Sequence, residues 1–206
     1  MARPRPPLSF RAPMSRRFSQ AIAEGDGISI LVGVDSVNAA RAAEEQGAEA
    51  LVVRGDIGAL RDVTELPLLS RAPIPLADAA NAGADACLLR VADHEDDSDR
   101  LAELHREALD LGLDCVVHVR NEEELELALE RLDAEIFLLA GDGEGDDPLA
   151  PALELLPDVP AGKLAIADVE IARRTHIDEL ERAGVDAVIV GTGNIAELVG
   201  DAPPEV

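Results

Sequence analysis

The feature that most constrains the fold of this chain is a regular alternation between short apolar runs and acidic, Ala- and Leu-rich stretches with helical periodicity. The apolar runs are Ile28–Val34, Ala50–Val53, Leu66–Leu69, Ala86–Val91, Cys115–Val119, Ile136–Ala140, Leu164–Val169 and Ala187–Val190. Aliphatic runs with little polar alternation are typical of strands buried on both faces, as in a parallel sheet covered by helices. Eight strand-then-helix units in 206 residues predict an α/β protein with a single-domain (β/α)₈ architecture, the TIM barrel. In that fold, functional side chains gather at the carboxyl ends of the strands.

Glycines at the junctions between units support this division. Gly47, Gly83, Gly112 and Gly184 each follow a helical stretch and precede an apolar run. A left-handed residue is commonly required where a helix ends, and glycine adopts that conformation most readily. We therefore predict that these glycines terminate helices.

Charge and composition exclude several classes of partner. The chain has 42 acidic and 18 basic residues and a formal net charge of −24, so nucleic acid and anionic membrane surfaces are not expected partners. No apolar stretch reaches the ~18 residues needed to span a bilayer, and no secretory signal pattern is present. The two cysteines, Cys87 and Cys115, lie inside apolar runs, which predicts buried, reduced thiols in a cytoplasmic protein.

The first 23 residues differ in composition from the rest. Met1–Ala23 contains five Arg, four Pro and no acidic residue. Two interpretations are open. The segment is either a basic arm that docks on a protein partner or on the acidic barrel, or a loose leader whose part near Ser15–Glu24 forms a short helix that plugs the barrel bottom. The predicted division is arm and short helix over 1–23, barrel over 24–201 and tail over 202–206.

Several segments resemble one enzyme family. They are SRRFSQAIAEGDGISILVGVD, LPLLSR, ANAGADACLLRVA, LGLDCVVHVRNEEELELAL and AGVDAVIVGTGNIAELVGD. Together they extend over most of Ser15–Asp201, and their order and spacing are similar to those of indole-3-glycerol phosphate synthase. The resemblance implies a TIM barrel related to a carbon–carbon lyase of tryptophan biosynthesis. The family's long loop after strand 1 is reduced here to little more than Asp35–Asn38.

The residues at the strand ends depart from the pattern that the resemblance implies. The family has Glu-x-Lys at the end of strand 1, and this chain has Gly33 and Asp35 at the corresponding positions. Arg71 stands where the family has its general-acid lysine after strand 3. His118 stands where the family has the catalytic glutamate of strand 5.

Strands 6 and 7 depart as well, and the changes bear on the chemistry. Leu139-Ala140 replaces an Asn pair, and Ala167–Glu170 replaces Ser-Glu-Ser-Gly, keeping an acid but losing a glycine. Arginine stays protonated above pH ~12, so Arg71 is a poor proton donor. His118 can carry protons, but it lacks the fixed negative charge of glutamate. The family's ring closure and decarboxylation are therefore not expected to run efficiently.

The replacements themselves give a candidate site. The charged residues at or near strand ends are Asp35, Arg54, Arg71, Arg90, His118, Arg120 and Asp168. The candidates for catalysis are His118, Asp168, Arg71 and Asp35. We predict an acid–base pair of His118 with Asp168 or with Asp35, and an anion held by Arg71.

An alternative is that several of these side chains point outward. Successive strand residues alternate in direction, so some would lie in the layer between strands and helices. Arg90 and Arg120 would then neutralise neighbouring acids. The other histidines, His94, His105 and His176, are predicted to lie on loops or helix surfaces.

A second candidate is a glycine-rich turn after the last strand, formed by Gly191, Thr192, Gly193 and Asn194. Backbone N–H groups at such a turn commonly bind phosphate in barrels of this kind. The alternative is a structural turn, since Glu170 from the neighbouring loop would repel an anion if it faced inward. Both interpretations stay open at the level of sequence.

Two acidic loops raise the question of metal binding. Asp93–Asp97 and Asp142–Asp147 follow strands 4 and 6, and carboxylates can bind divalent cations. Neither loop has the alternating ligand spacing of a calcium loop, and acidic runs are usually solvated. We predict neither a metal nor a cofactor.

Three hypotheses of function follow. The first is a divergent member of the family that binds a small phosphorylated or anionic metabolite without running the standard reaction efficiently. The second is a non-catalytic interaction protein that binds a partner through the basic arm. The third is an active synthase with altered catalytic residues, so whether the protein is an enzyme stays open.

Overall fold

Eight parallel strands form a closed barrel in the computed structural model, which describes residues 17–24, 27–141, 147–193, 195 and 198. The strands are β1 (Ser29–Val34), β2 (Ala50–Val53), β3 (Leu68–Ser70), β4 (Ala86–Arg90), β5 (Asp114–Val119), β6 (Ile136–Leu139), β7 (Leu164–Ala167) and β8 (Ala187–Val190). Each strand pairs with its neighbours in chain order, and β8 pairs with β1 to close the sheet. The prediction of a (β/α)₈ barrel is confirmed.

Helices precede β1 and connect the successive strands. They are α1 (Arg17–Ala23), α2 (Val37–Glu45), α3 (Ile57–Arg61), α4 (Leu76–Ala82), α5 (Ser98–Asp110), α6 (Glu122–Arg131), α7 (Ala150–Leu155) and α8 (Arg174–Ala183). Short 3₁₀ turns precede α5 and follow α7. Among the residues described, no helix is long and apolar enough to cross a membrane.

The helix-ending glycines adopt the predicted conformation. Gly83 and Gly184 cap α4 and α8 with φ of +96° and +100°. Gly47 and Gly112 also have positive φ, at +89° and +76°. A residue with a Cβ is strained there, which explains why the same junction recurs along the chain.

Strand ends differ from the apolar runs by one or two residues, most clearly at β3. The run Leu66–Leu69 predicts a strand two residues too early at its start and one too early at its end. The carbonyl of Leu66 accepts a hydrogen bond from Arg61 Nη2 at 3.1 Å and so serves a side chain of α3. Ser70, although polar, pairs in register with Val53 and Cys87.

The core has two layers, one on each face of the sheet. An inner layer fills the barrel and includes Leu31, Val52, Leu69, Val116 and Ile166. The outer layer lies between strands and helices and takes the alternate strand residues. Cys87 and Cys115 are register partners in this outer layer, and the Cys87 contact together with burial raises the pKa of Cys115 well above its usual value.

Helix α1 closes the amino-terminal end of the barrel. Phe18 is fully buried and packs with Ile22 in the inner layer. The backbone N–H of Ser19 donates to Asp114 Oδ2 at 2.8 Å, which joins the helix to the start of β5. The barrel bottom is thus filled by this helix, as the second interpretation of the segment predicts. Residues 1–16 lie outside the described part, so docking by the arm stays a prediction, as does the division of the chain at 23 and 201.

Candidate functional site

Three of the predicted site residues converge at the carboxyl end of the barrel. Leu69, Val116 and Ile166 belong to the inner layer. Arg71, His118 and Asp168 each lie two residues after one of these, His118 within β5 and the other two directly after the ends of β3 and β7. Because strand residues alternate in direction, these three face the same interior, above the apolar core. The alternative in which several of the candidates point outward therefore does not hold for these three positions.

Arg71 and Asp168 form an ion pair across the mouth. Arg71 Nη1 lies 2.7 Å from Asp168 Oδ2, and the two side chains are only 13% and 22% exposed. Their strands, β3 and β7, are four places apart in a closed barrel of eight and so lie opposite each other. The hydrogen-bonded partner of Asp168 is thus Arg71 and not His118, so the predicted His118–Asp168 pair is not formed in this structure.

His118 lies half-buried between arginines. It is the register partner of Arg90 on β4. Burial is the largest cause that lowers the pKa of His118, and the charges of Arg71 and Arg90 lower it further, against opposing effects of Asp168 and Glu124. Its Nδ1 atom is buried and has no hydrogen-bond partner among the described residues. These causes together favour the neutral ring over the imidazolium.

A cavity of about 380 Å³ opens beside the ion pair, at the ends of β1, β2, β7 and β8. Its polar lining consists of Asp35, Arg54, Asp168, Glu170 and Thr192, with Gly191 at its edge. One guanidinium thus shares the cavity with three carboxylates, of which Asp168 is neutralised by its contact with Arg71. The cavity combines both signs of charge and is not a uniformly basic site.

The glycine-rich turn borders this cavity. Gly191, Thr192 and Gly193 are exposed, and a Cβ added at Gly191 or Gly193 would meet nothing within 4 Å. Backbone at this turn is accessible to a ligand, but Glu170 shares the lining. The fourth predicted residue, Asn194, lies outside the described residues.

Arg120 does not join the site. Its guanidinium and backbone N–H bind the carboxylate of Glu124, and its Nη2 lies 3.4 Å from Glu95. This agrees with the alternative in which Arg120 neutralises neighbouring acids. Arg90, in contrast, belongs to the mouth. It lies two residues after the inward-facing Leu88, and its charge lowers the pKa of His118.

The buried acid Glu124 is a residue that the sequence prediction missed. It is 3% exposed, although it belongs to an acidic run expected to be solvated. Its own N–H donates to Asn121 Oδ1 at 2.9 Å, while its carboxylate accepts from the backbone of Arg120 at 2.9 Å. The N-cap residue Asn121, three positions before Glu124, is the sequence signal that places this acid in the first turn of α6.

Two other histidines were placed wrongly by the sequence. His105 on α5 and His176 on α8 are each 7% exposed, so they are buried and not surface residues. His176 accepts a hydrogen bond from Arg173 Nε at 2.8 Å. On each helix the histidine lies on the same face as the buried apolar residues.

In the described part of the two acidic loops, aspartate side chains accept hydrogen bonds from backbone N–H groups near the starts of the following helices. Asp97 accepts from Arg100 N–H at 3.0 Å and Asp147 from Leu149 N–H at 2.9 Å. Residues 142–146 lie outside the described part. Within the described ranges, no group of three or more His, Cys, Asp or Glu side chains is placed to hold a metal ion.

Comparison with known proteins agrees with this architecture. A solved structure of N-acetylmannosamine-6-phosphate 2-epimerase from Clostridium perfringens superimposes with a TM-score of 0.67 at 16% identity, covering 82% of this chain and 88% of that one. At this identity the likeness shows the fold alone. The family is shown by relatives of higher sequence identity.

Those relatives are synthases from bacteria. Indole-3-glycerol phosphate synthase of Dehalococcoides mccartyi strain BAV1 is 31% identical over 218 aligned residues, covering 95% of this chain and 83% of the relative. The corresponding proteins of Geobacillus sp. strain WCH70 and Lachnospira eligens are 29% and 34% identical, over 74% and 65% of this chain. The chain spans 64% and 53% of the length of these last two.

The family model for indole-3-glycerol phosphate synthase matches residues 29–197. The match runs from the start of β1 past the turn after β8, so it includes every strand of the barrel. The chain belongs to the indole-3-glycerol phosphate synthase family.

Proposed function

We propose that this protein binds a small phosphorylated or otherwise anionic ligand at the barrel mouth and does not run the family's ring closure and decarboxylation efficiently. The observation that carries the proposal is the basic arc formed by Arg54, Arg71 and Arg90 at the ends of the adjacent strands β2, β3 and β4. In a chain of net charge −24, inward-facing guanidiniums on three successive strands are a concentration of positive charge that an anion would recognise.

The cavity beside this arc supplies the space. Its volume of about 380 Å³ suits a small metabolite, and Arg54 lines it. A phosphate placed at Gly191 and Thr192 would contact exposed backbone, with Arg54 as its counter-charge. Glu170 in the same lining favours a ligand that also carries a hydrogen-bond donor.

The loss of the standard reaction is proposed from the chemistry of the mouth. Arg71 replaces a lysine whose pKa can be tuned towards neutral pH, and an arginine cannot be tuned so. His118, with its pKa lowered, does not supply the negative charge that stabilises an iminium group. Removing one well-placed group often slows a reaction by ~10²–10⁴-fold, and several positions are altered here.

Buried thiols support a cellular location for this function. Cys87 and Cys115 are both free and buried. Reduced cysteines in neighbouring strands are typical of a reducing compartment, so we place the ligand-binding function in the cytoplasm.

Thermal unfolding tests the binding proposal. Inorganic phosphate, or a phosphate ester of the indole pathway, is added at millimolar concentration to the wild type and to Arg71→Ala. A ligand at ten times its Kd stabilises the fold by about 1.4 kcal/mol, which raises Tm by about 3–6 °C. We expect this shift for the wild type and its loss in Arg71→Ala, because without Arg71 the Asp168 carboxylate in the cavity lining loses its counter-charge and repels the anion.

A matched variant controls for a general effect of removing positive charge. Arg100→Ala removes an exposed guanidinium that pairs with Glu103 on α5 at 3.1 Å and does not line the cavity. It should keep the full ligand-induced shift. If no ligand moves Tm of the wild type, anion binding is refuted and the hypothesis of a non-catalytic interaction protein is the one left to test.

Growth of a tryptophan auxotroph lacking the synthase tests the second half of the proposal. Expression of this chain should not restore growth on medium without tryptophan, whereas an active family member should. Restored growth would show that the altered strand ends still support the reaction.

A further inference from the structure

The buried ring nitrogen of His118 fixes where the imidazole carries its proton. A neutral imidazole has one N–H donor and one acceptor nitrogen. Within the part of the chain that the structure describes, Nδ1 is buried without a hydrogen-bond partner. A buried N–H without an acceptor is rarer and less favourable than a buried acceptor without a donor. This favours the tautomer that carries its proton on Nε2.

The charged groups around His118 oppose its protonation. Arg71 and Arg90 repel an imidazolium, while Asp168 and Glu124 attract one. Both carboxylates are already engaged: Asp168 Oδ2 binds Arg71 at 2.7 Å, and Glu124 binds Arg120. Protonation would also place an N–H at the unpartnered Nδ1 position. A general base must accept a proton and hold it, and this environment disfavours that state.

Three of the described side chains at the ends of β3, β4 and β5 are thus hydrogen-bond donors. Guanidinium groups of Arg71 and Arg90 have N–H donors and no acceptor, and the Nε2–H of His118 adds a third group of the same kind. Donors without acceptors are suited to the oxygens of an anion.

We propose that His118 is a neutral hydrogen-bond donor, through Nε2–H, in an oxyanion-binding site shared with Arg71 and Arg90, and that Asp168 occupies this site until a ligand displaces it. The site deepens the proposed function and rests on it, because it names the oxyanion-binding groups at the mouth. The Asp168 carboxylate is itself an oxyanion, and its contact with Arg71 shows the chemistry that this guanidinium accepts. Asp168 also lines the neighbouring cavity, so its carboxylate has space beside it when the pair opens.

Two substitutions of His118 test which nitrogen acts. In His118→Gln the side-chain amide N–H group lies at about the depth of Nε2, and in His118→Asn it lies at about the depth of Nδ1. Titration with inorganic phosphate and, in a second arm, with acetate is followed by Tm and by shifts of backbone amide signals. The two arms separate a phosphate site from a carboxylate site.

We expect His118→Gln to bind the better of the two anions as the wild type does, and His118→Asn to bind it about tenfold more weakly, since one charge-assisted hydrogen bond is lost. Asp168→Asn removes the competing carboxylate and should tighten binding by about two- to fivefold. Arg100→Ala again serves as the unaffected control.

The outcomes separate this inference from the function on which it rests. Equal binding by His118→Gln and His118→Asn, or no gain in Asp168→Asn, would overturn the inference while leaving anion binding in place. Absence of binding in the wild type and in Asp168→Asn alike would overturn both. Nitrogen-15 spectra of the free protein give a readout independent of any ligand: the proton must be found on Nε2, and a proton on Nδ1 contradicts the proposal.

Discussion

At the scale of single residues, one buried and one half-buried histidine couple the stability of the fold to pH. Burial is the largest cause that lowers the pKa of His105 and of His118 below the usual 6.5. The unfolded chain therefore binds more protons than the folded chain between the lowered pKa values and about 6.5. Stability contributed by the neutral rings is complete above that range and is lost as pH falls through it.

The first prediction compares the urea midpoints of the wild type and of histidine variants across this range of pH. The urea midpoint of the wild type should fall between pH 7.5 and pH 5.5, and His118→Gln, which cannot titrate, should show a smaller fall. Most carboxylates titrate below this window, so the difference between the two proteins isolates the histidine. His105→Gln should reduce the fall in the same direction. A steeper fall in either variant would contradict the sign of the pKa shift.

The residues of the candidate site could be foreseen, but their pairing could not. Strand alternation and the barrel order place Arg71, His118 and Asp168 at one mouth once the strands are known. Which group Asp168 binds depends on the reach of a long arginine across the barrel, and sequence spacing carries no information on that. Glu124 was missed for a related reason: an acidic run predicts a solvated face, and only the capping contact shows which of its acids is buried.

At the scale of secondary-structure elements, helix α1 contributes packing that the barrel strands do not supply. Phe18 is fully buried against inner-layer side chains. No other aromatic side chain belongs to the described part of that layer, whose remaining members are aliphatic. Truncating it would leave a cavity at the barrel bottom that a closed sheet cannot readily collapse to fill.

The second prediction follows from that cavity. Phe18→Ala should lower the free energy of unfolding by about 3–5 kcal/mol, measured from urea unfolding at pH 7.5. Gln20→Ala, on the exposed face of the same helix, should change it by less than about 0.5 kcal/mol. If Phe18→Ala were as mild as the control, α1 would not be a part of the cooperative core.

The presence of each strand and helix was predicted better than the residues at which it begins and ends. Aliphatic runs located every strand, because burial on both faces demands them, and the glycines marked the helix ends through their backbone conformation. The ends of β3 shifted because the last pairs of a parallel ladder are chosen by backbone hydrogen bonds and not by hydrophobicity. Ser70 continues that strand for this reason, while Leu66 is left out of it.

At the scale of the whole molecule, net charge acts on stability and on ligand access together. With 42 acidic and 18 basic residues, the folded chain brings like charges closer than the unfolded chain does, and this repulsion destabilises it. The same field opposes the approach of an anion to the mouth. The partly buried pair of Arg71 with Asp168 is screened less by salt than exposed charges are.

The last prediction concerns salt. The Debye length falls from about 30 Å at 0.01 M to about 8 Å at 0.15 M, so added NaCl removes most repulsion between surface carboxylates before it weakens partly buried pairs. The urea midpoint at pH 7.5 should therefore rise between 0.01 M and 0.5 M NaCl and then level off. Acidic pH supplies the control, because the net charge shrinks towards the sequence pI of 4.3, and the salt dependence at pH 5 must be smaller than at pH 7.5. A midpoint that falls with salt at pH 7.5 would mean that ion pairs, and not excess negative charge, dominate the electrostatic free energy of folding.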